Sequence, residues 1–517
     1  MILPKITNNG VTRRSLLKLT AGISTAALMG QLWKGWDRLA EGAASTPMFM
    51  NPLFAGDYPD PTILRVGKDF YMTHTSYSYA PGLVIWHSRD LVNWVPISTV
   101  LNETIGEVWA PDLVEHEGRY YIYFPMGGIY VVYADNPRGP WSAPIKLNID
   151  DIDPGHVVGP DGKRYLYTAG GHVVELSADG LSVVGDRQQV YTGWAFPEDW
   201  KTEGMWLESP KLTKRGEFYY LICAEGGTAG PPTSHMSVAA RSKSPLGPWE
   251  NSPSNPLIHT YSADEEWWSV GHGTLISTPD DRWFFVYHGY RKDFQTLGRN
   301  TLLEPIEWTS DGWPVAPLGS RRGLPIPAPM AVAQRPMIDL SDNFKSPNLK
   351  PTWAAWMEHD MSRFTADDGR LSIRAKGSSY AESSPLTIRA RDESYMVQVG
   401  AGIDGGASAA LGVEYNPKVA FYIELVSGTV NVNGPKGNLS TRSWHSNKAW
   451  FRLVNRENLV EALVSEDGKK WQSLIKDFDI SNFTQNGQHG GFQAARPAIA
   501  ASGTGNSIFT DFRYRTI

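Results

Sequence analysis

At 517 residues the chain is too long for one ordinary hydrophobic core, so two or three domains are expected. A hydrophobic content of 41% with 20% charged residues describes a folded soluble chain and excludes extensive disorder. The net charge of -6 leaves no basic balance for nucleic acid, and a single cysteine, Cys223, excludes an intrachain disulfide.

In chain order, Thr12-Arg13-Arg14-Ser15-Leu16-Leu17-Lys18 precedes a mostly apolar run through Leu28-Met29-Gly30. Paired arginines ahead of a modest apolar stretch read as a twin-arginine export signal, with Ala43-Ala44 as a small-residue cleavage site. The run is short and rich in small residues, so no stable membrane span is expected. Residues 1–45 are set aside as this signal, and the expected destination is the periplasm or the exterior.

From residue 46 to 316 one phrase recurs. Asp60-Pro61-Thr62-Ile63-Leu64 leads to Gly67 and Phe70-Tyr71-Met72, and Ala110-Pro111-Asp112-Leu113-Val114 leads to Gly118 and Tyr120-Tyr121-Ile122. Asp153-Pro154-Gly155, Glu208-Ser209-Pro210 and Gly271-His272-Gly273 open three further copies. Each copy is a strand, a tight turn and an aromatic-rich strand, with more strands after it. About four strands per unit, repeated at roughly 40–60 residues, predicts an all-β five-bladed propeller.

In a propeller the first strand of each blade lines the central axis, so the blade starts converge at one mouth. The starts carry Asp60, Trp109, Asp153, Glu208 and His272. Carboxyl groups gathered at one funnel are costly and mark a functional site. Cleavage of a glycosidic bond needs one carboxylic acid to protonate the leaving oxygen and one carboxylate to activate water or attack carbon. A third carboxylate can raise the acid's pKa by repulsion. If Asp60 and Glu208 face each other across the axis, inversion follows, with a gap of roughly 6.5–9.5 Å.

At these residues the chain resembles glycoside hydrolase family 43. The resemblance rests on Tyr58-Pro59-Asp60-Pro61, His87-Ser88-Arg89-Asp90-Leu91-Val92-Asn93-Trp94, Ile152-Asp153-Pro154-Gly155 and Glu208-Ser209-Pro210. It continues through Glu225-Gly226-Gly227-Thr228, Gly271-His272-Gly273, Leu297-Gly298-Arg299 and Asp311-Gly312-Trp313-Pro314. It implies an inverting enzyme with Asp60 as general base, Glu208 as general acid and Asp153 as the group that tunes and orients the acid. It also implies that Arg299 binds the terminal sugar with a guanidinium fork suited to two hydroxyls. His272 matches an axial histidine that in some members lies beside an ion or water, and a purely structural histidine is the alternative. No cofactor is expected, although a structural calcium or other ion near His272 is allowed for. Trp109 is a pocket wall or core, Tyr77 a weaker wall candidate, and Trp86 core.

Two departures bear on the pocket: Tyr77-Ser78-Tyr79-Ala80-Pro81-Gly82 and Gly298-Arg299-Asn300-Thr301 lack a carboxylate and aromatic bulk common in β-xylosidases of the family. The implied substrate is a hemicellulose oligosaccharide, cut from its end to release xylose or arabinofuranose. Endo-arabinanase or galactan cleavage, or a silent sugar-binding module, are the alternatives.

Residues 317–336 form a Pro-rich connector, expected to run extended and stiff along the surface. Beyond it, residues 337–517 alternate as strands, as in Leu371-Ser372-Ile373-Arg374 and Val419-Ala420-Phe421-Tyr422-Ile423, and predict a β-sandwich or jelly roll. This part resembles the concanavalin A-like domain of family 43 β-xylosidases, which implies rigid packing on the propeller and a loop that narrows the pocket.

Overall fold

The computed structural model describes residues 47–330, 338–488 and 490–517, and the export signal read over residues 1–45 lies outside the described residues. Residues Pro47–Ile517 form one compact unit. Its first part is five antiparallel sheets, one per sequence copy. The first blade consists of Thr62–Val66, Asp69–Thr73, Gly82–Ser88 and Val95–Leu101, and the second begins at Asp112–His116. The third begins at Gly155–Val158, the fourth at Glu208–Arg215 and the fifth at Trp267–Ser277. In the first four, the turn after the innermost strand passes through a left-handed glycine: Gly67, Gly118, Gly162 or Gly216. Only glycine adopts that conformation without cost, which is why the sequence phrase repeats it.

Facing blades bury interlocking side chains. Leu83, Ile85, Leu113, Ile122 and Phe124 join the first to the second, and Ile222, Val270, Leu275 and Phe285 join the fourth to the fifth. The ring closes through the segment before the first blade. Leu53 and Tyr58 donate backbone hydrogen bonds to Thr301 and Arg299 of the last blade, and the Asn51 amide bonds Leu303 in both directions.

The Pro-rich segment differs from its sequence reading. Met48–Phe49 pairs with Ile326–Pro327, and Ile326 and Ala328 are buried. Arg322 is 3% exposed, bonded to Glu304 and to the carbonyl of His259. An arginine with a buried acidic partner anchors the segment to the propeller, so part of its first half is buried and does not simply run along the surface.

The second domain is built on two long strands, Ser394–Asn416 and Arg496–Thr516, paired along most of their length. One end of the first pairs with Lys448–Arg456 and the other with Val419–Val426. The sheet thereby folds on itself as a sandwich, with Val397, Leu411, Phe421, Phe451 and Phe509 inside. It is also stitched to the propeller: Tyr79–Ala80, in the connection between the second and third strands of the first blade, pairs with Ala354–Trp356, and Arg496 Nη2 bonds Asp57 Oδ2 at 2.8 Å in full burial.

Candidate active site

The blade starts do converge. Asp60, Asp153, Glu208 and His272 line one small pocket of about 70 Å³ at the axis, with Tyr77, Trp109, Ala110, Ile152, Thr228, His235, Arg299 and Phe492. Asp60, Asp153 and His272 adopt the same left-handed backbone, φ 54, 56 and 53. The fourth blade repeats that geometry at Ser209 (φ 52), so Ser209, not Glu208, is the equivalent of Asp60. The Asp-Pro, Ala-Pro and Ser-Pro pairs set this register. Glu208 and Trp109 stand one residue upstream of it, a correction to their reading as blade-start equivalents. A bulge between Glu208 and Lys211 accompanies the change.

Asp60 is 5% exposed and its carboxylate is saturated with donors. Arg299 approaches with both terminal nitrogens (2.8 and 3.3 Å), and Thr75 Oγ1 donates at 2.6 Å. His288 Nδ1 lies 3.1 Å from both Oδ1 and the backbone nitrogen of Asp60. Burial pushes the Asp60 carboxyl up, but Arg299, His272 and His288 outweigh it and hold Asp60 well below the ordinary carboxylate range. Asp60 is therefore ionised at neutral pH.

Glu208 is half-buried and displaced in the opposite direction. Burial, then the charges of Asp153 and Asp60, raise it well above its ordinary value. Asp153 is raised by burial and by Asp60, while the backbone N–H of Ser209 (2.9 Å to Oδ2) and Lys211 pull it back. That N–H belongs to the residue after Glu208, so Asp153 fixes the strand that presents the acid. His272 stands between the two aspartates, Nδ1 3.5 Å from Asp60 and Nε2 4.0 Å from Asp153. Burial lowers its pKa to about 4, so it is a neutral spacer.

Arg299 faces the pocket as expected, but its fork is closed on Asp60 and its Nη2 also donates to Tyr77 Oη at 2.9 Å. Tyr77 in turn donates to the carbonyl of Phe492 at 2.6 Å. Trp109 lines the wall edge-on to Phe492 (6.2 Å), while Trp86 is core, packed on Phe54. Of the two sequence departures, only Tyr77 reaches the pocket. Tyr79 packs on Trp356, and Asn300 bonds Gly56 and Gly298, so both serve structure.

The sequence reading gave no site role to His288, Thr75, His235, Thr228 (named only within the motif Glu225-Gly226-Gly227-Thr228) or Phe492. The first four lie off the blade-start positions, and Phe492 comes from the other domain. No repeat marks any of them. Among the described residues, Asp60, His272 and His288 offer ligand atoms within 4.8 Å of one another. Calcium takes six to eight oxygen ligands, so two imidazoles and a carboxylate already held by a guanidinium do not fit it.

The chain is 34% identical over 301 residues to the non-reducing end alpha-L-arabinofuranosidase BoGH43B of Bacteroides ovatus, covering 53% of this chain and 55% of that protein. It is 31% identical over 354 residues to a xylan 1,3-beta-xylosidase of a Vibrio species, covering 59% and 64%. The matches thus span little more than half of these relatives' own length. The crystal structure of the GH43 protein BlXynB from Bacillus licheniformis superposes with a TM-score of 0.82 at 26% identity, covering 91% of this chain and all of that one. Residues 49–314 match the family model of the glycosyl hydrolases family 43, and with that match over more than half of its length the chain belongs to this family.

Proposed function

We propose that this protein is an inverting, exo-acting glycosidase that removes a terminal xylose or arabinofuranose from plant cell-wall oligosaccharides. The observation that carries the proposal is the opposite displacement of two carboxyls lining one pocket: Asp60 held ionised, Glu208 held protonated. In the proposed reaction, Asp60 takes a proton from water as its oxygen bonds to the anomeric carbon. Glu208 gives its proton to the departing glycosidic oxygen as the C–O bond breaks. Solvent then exchanges the proton off Asp60 and back onto Glu208. Arg299 and Thr75 hold the base, and the charge of Asp153 keeps the proton on Glu208 until the leaving oxygen takes it.

The printed activities of the relatives, arabinofuranosidase and xylosidase, support a terminal pentose. Closure of the pocket by Phe492 supports attack at chain ends. We further propose that the second domain is concanavalin A-like in kinship, and that the twin-arginine segment directs the folded chain to the periplasm or exterior.

The test is hydrolysis of aryl β-D-xyloside and aryl α-L-arabinofuranoside, with the product anomer followed by proton NMR. Release from one of them with inverted configuration is expected. No release from either, nor from arabinan, galactan or xylan, would reduce the protein to a sugar-binding module.

A further inference from the structure

Two residues down each strand from the pocket positions Asp60, Ala110, Asp153, Ser209 and His272 lies a second ring: Thr62, Asp112, Gly155, Lys211 and Thr274. It forms the floor beneath the site. Lys211, 3% exposed, spans this floor, and its ammonium donates at 2.9 Å to each of Asp112 Oδ1, the Pro111 carbonyl and the Pro154 carbonyl. All three ammonium protons are thereby used. Asp112 Oδ2 accepts from the backbone of His156 at 2.7 Å, and Oδ1 from Thr62 at 3.4 Å. There is no room for a side chain at Gly155, where a Cβ would meet the Pro210 carbonyl at 1.6 Å. The long lysine from the next strand fills the floor instead.

A buried ion pair is seldom a gain in stability over apolar packing of the same volume. The placement of this one is informative. Pro154 follows Asp153 directly, so the ammonium holds the Pro154–Gly155 peptide, one residue from the Asp153 side chain. We propose that Lys211 is a positioning residue for Asp153: paired with Asp112, it clamps the Asp153-Pro154 turn from below and sets the charge that Asp153 presents to Glu208. The other titratable groups facing Asp153 are Asp60, Glu208, His272, Asp151 and the buried thiol of Cys223. Asp60 and Asp151 oppose its ionisation, Glu208 carries its proton, and His272 is neutral. Lys211 is the cation that favours its ionised form, together with the Ser209 N–H. With Asp153 charged, the shared proton resides on Glu208, where the proposed reaction needs it. The inference rests on that reaction for its consequence, but not for its test.

The test uses the full chain carrying carboxyl-¹³C aspartate, with the Asp153 resonance assigned by its loss in D153N, and follows its titration by NMR without substrate. In Lys211→Met the Asp153 midpoint rises by about half a unit or more; in Asp112→Asn, which leaves the ammonium uncompensated, it falls. Opposite signs from two lesions of one contact are what a merely structural role would not produce. Lys211→Arg, which keeps the charge, stays near the wild-type midpoint. Should Lys211→Met be recovered unfolded, the direction in Asp112→Asn decides alone. Kinetically, Lys211→Met at neutral pH loses about 10-fold or more on an alkyl glycoside and distinctly less on a dinitrophenyl glycoside, whose leaving group needs no proton. An Asp153 midpoint unmoved in Lys211→Met and Asp112→Asn, or shifted in the same direction by both, overturns the proposal. Absence of wild-type turnover on every glycoside would instead overturn the proposed reaction and leave the titration result standing.

Discussion

Asp60 is a carboxylate that burial alone would protonate. Arg299 above all, with His272 and His288, reverses that outcome, and the reversal is what makes it a base. Glu208 has no such set of donors and is pushed up by the same burial and by its acidic neighbours. Asp60→Asn and Glu208→Gln should each lose about 10²–10⁴-fold in kcat with the fold intact by circular dichroism. Only the Glu208 variant should recover on a dinitrophenyl glycoside. Arg299→Met removes the charge that keeps Asp60 low, so the Asp60 pKa rises. The acid limb of kcat/KM against pH then moves upward, because the base is protonated at pH values where it was previously ionised. An acid limb that stays in place in a folded Arg299→Met would mean that the guanidinium does not govern the base.

At the level of elements, the second domain contributes a loop to the first domain's chemistry. Phe492 lies in the stretch entering the strand Arg496–Thr516, which puts a ring beside Trp109 and 5.4 Å from the Arg299 guanidinium. Phe492→Ala should raise KM by about 10-fold with a smaller change in kcat, since it removes ground-state binding surface and no reacting group. It should also relax the preference for chain ends, measured as the ratio of polymer to aryl-glycoside hydrolysis. The blade seam at Gly155 is a second element-scale test. Gly155→Ala drives a methyl into the Pro210 carbonyl, and overpacking of this kind costs about 1–3 kcal/mol, read as a lowered denaturation midpoint.

For the whole molecule, the domain seam is charged and buried. Removing one partner of a buried ion pair costs about 3–5 kcal/mol, so Arg496→Met should destabilise the protein strongly by leaving Asp57 unpaired. The wild type should melt in one calorimetric transition. The buried groups also set the pH of greatest stability. Asp153 and Glu225 are raised to about 7 and Glu414 to about 8, all chiefly by burial. Above the pH at which these carboxyls ionise in the unfolded chain, the unfolded chain gives up protons that the native state keeps, so stability falls as pH rises towards 8. His259 and His272 are lowered to about 4 and His288 to about 3, again by burial. Below the ordinary histidine range the unfolded chain takes protons that the native state refuses, so stability falls as pH falls. The melting temperature should peak between about pH 4.5 and 6.5, the ordinary carboxyl and histidine values. A peak at pH 8 would contradict these assignments.

Repetition is visible in one dimension, and so the five blades, their turn glycines and the convergence of Asp60, Asp153 and His272 were legible in the sequence: each follows from local patterns that recur at a fixed spacing. Glu208 was legible as an acid but misplaced by one residue, because the marker of register is the proline pair and not the acidic residue. Contacts between residues without any shared pattern were not legible. Arg299 turning its fork on Asp60, Phe492 closing the wall from another domain, Arg322 anchoring the connector and Lys211 reaching across the floor all depend on where distant segments meet. Such meetings are decided by the packing of the blades and the sandwich, since a charge finds its partner only when folding has removed the water between them.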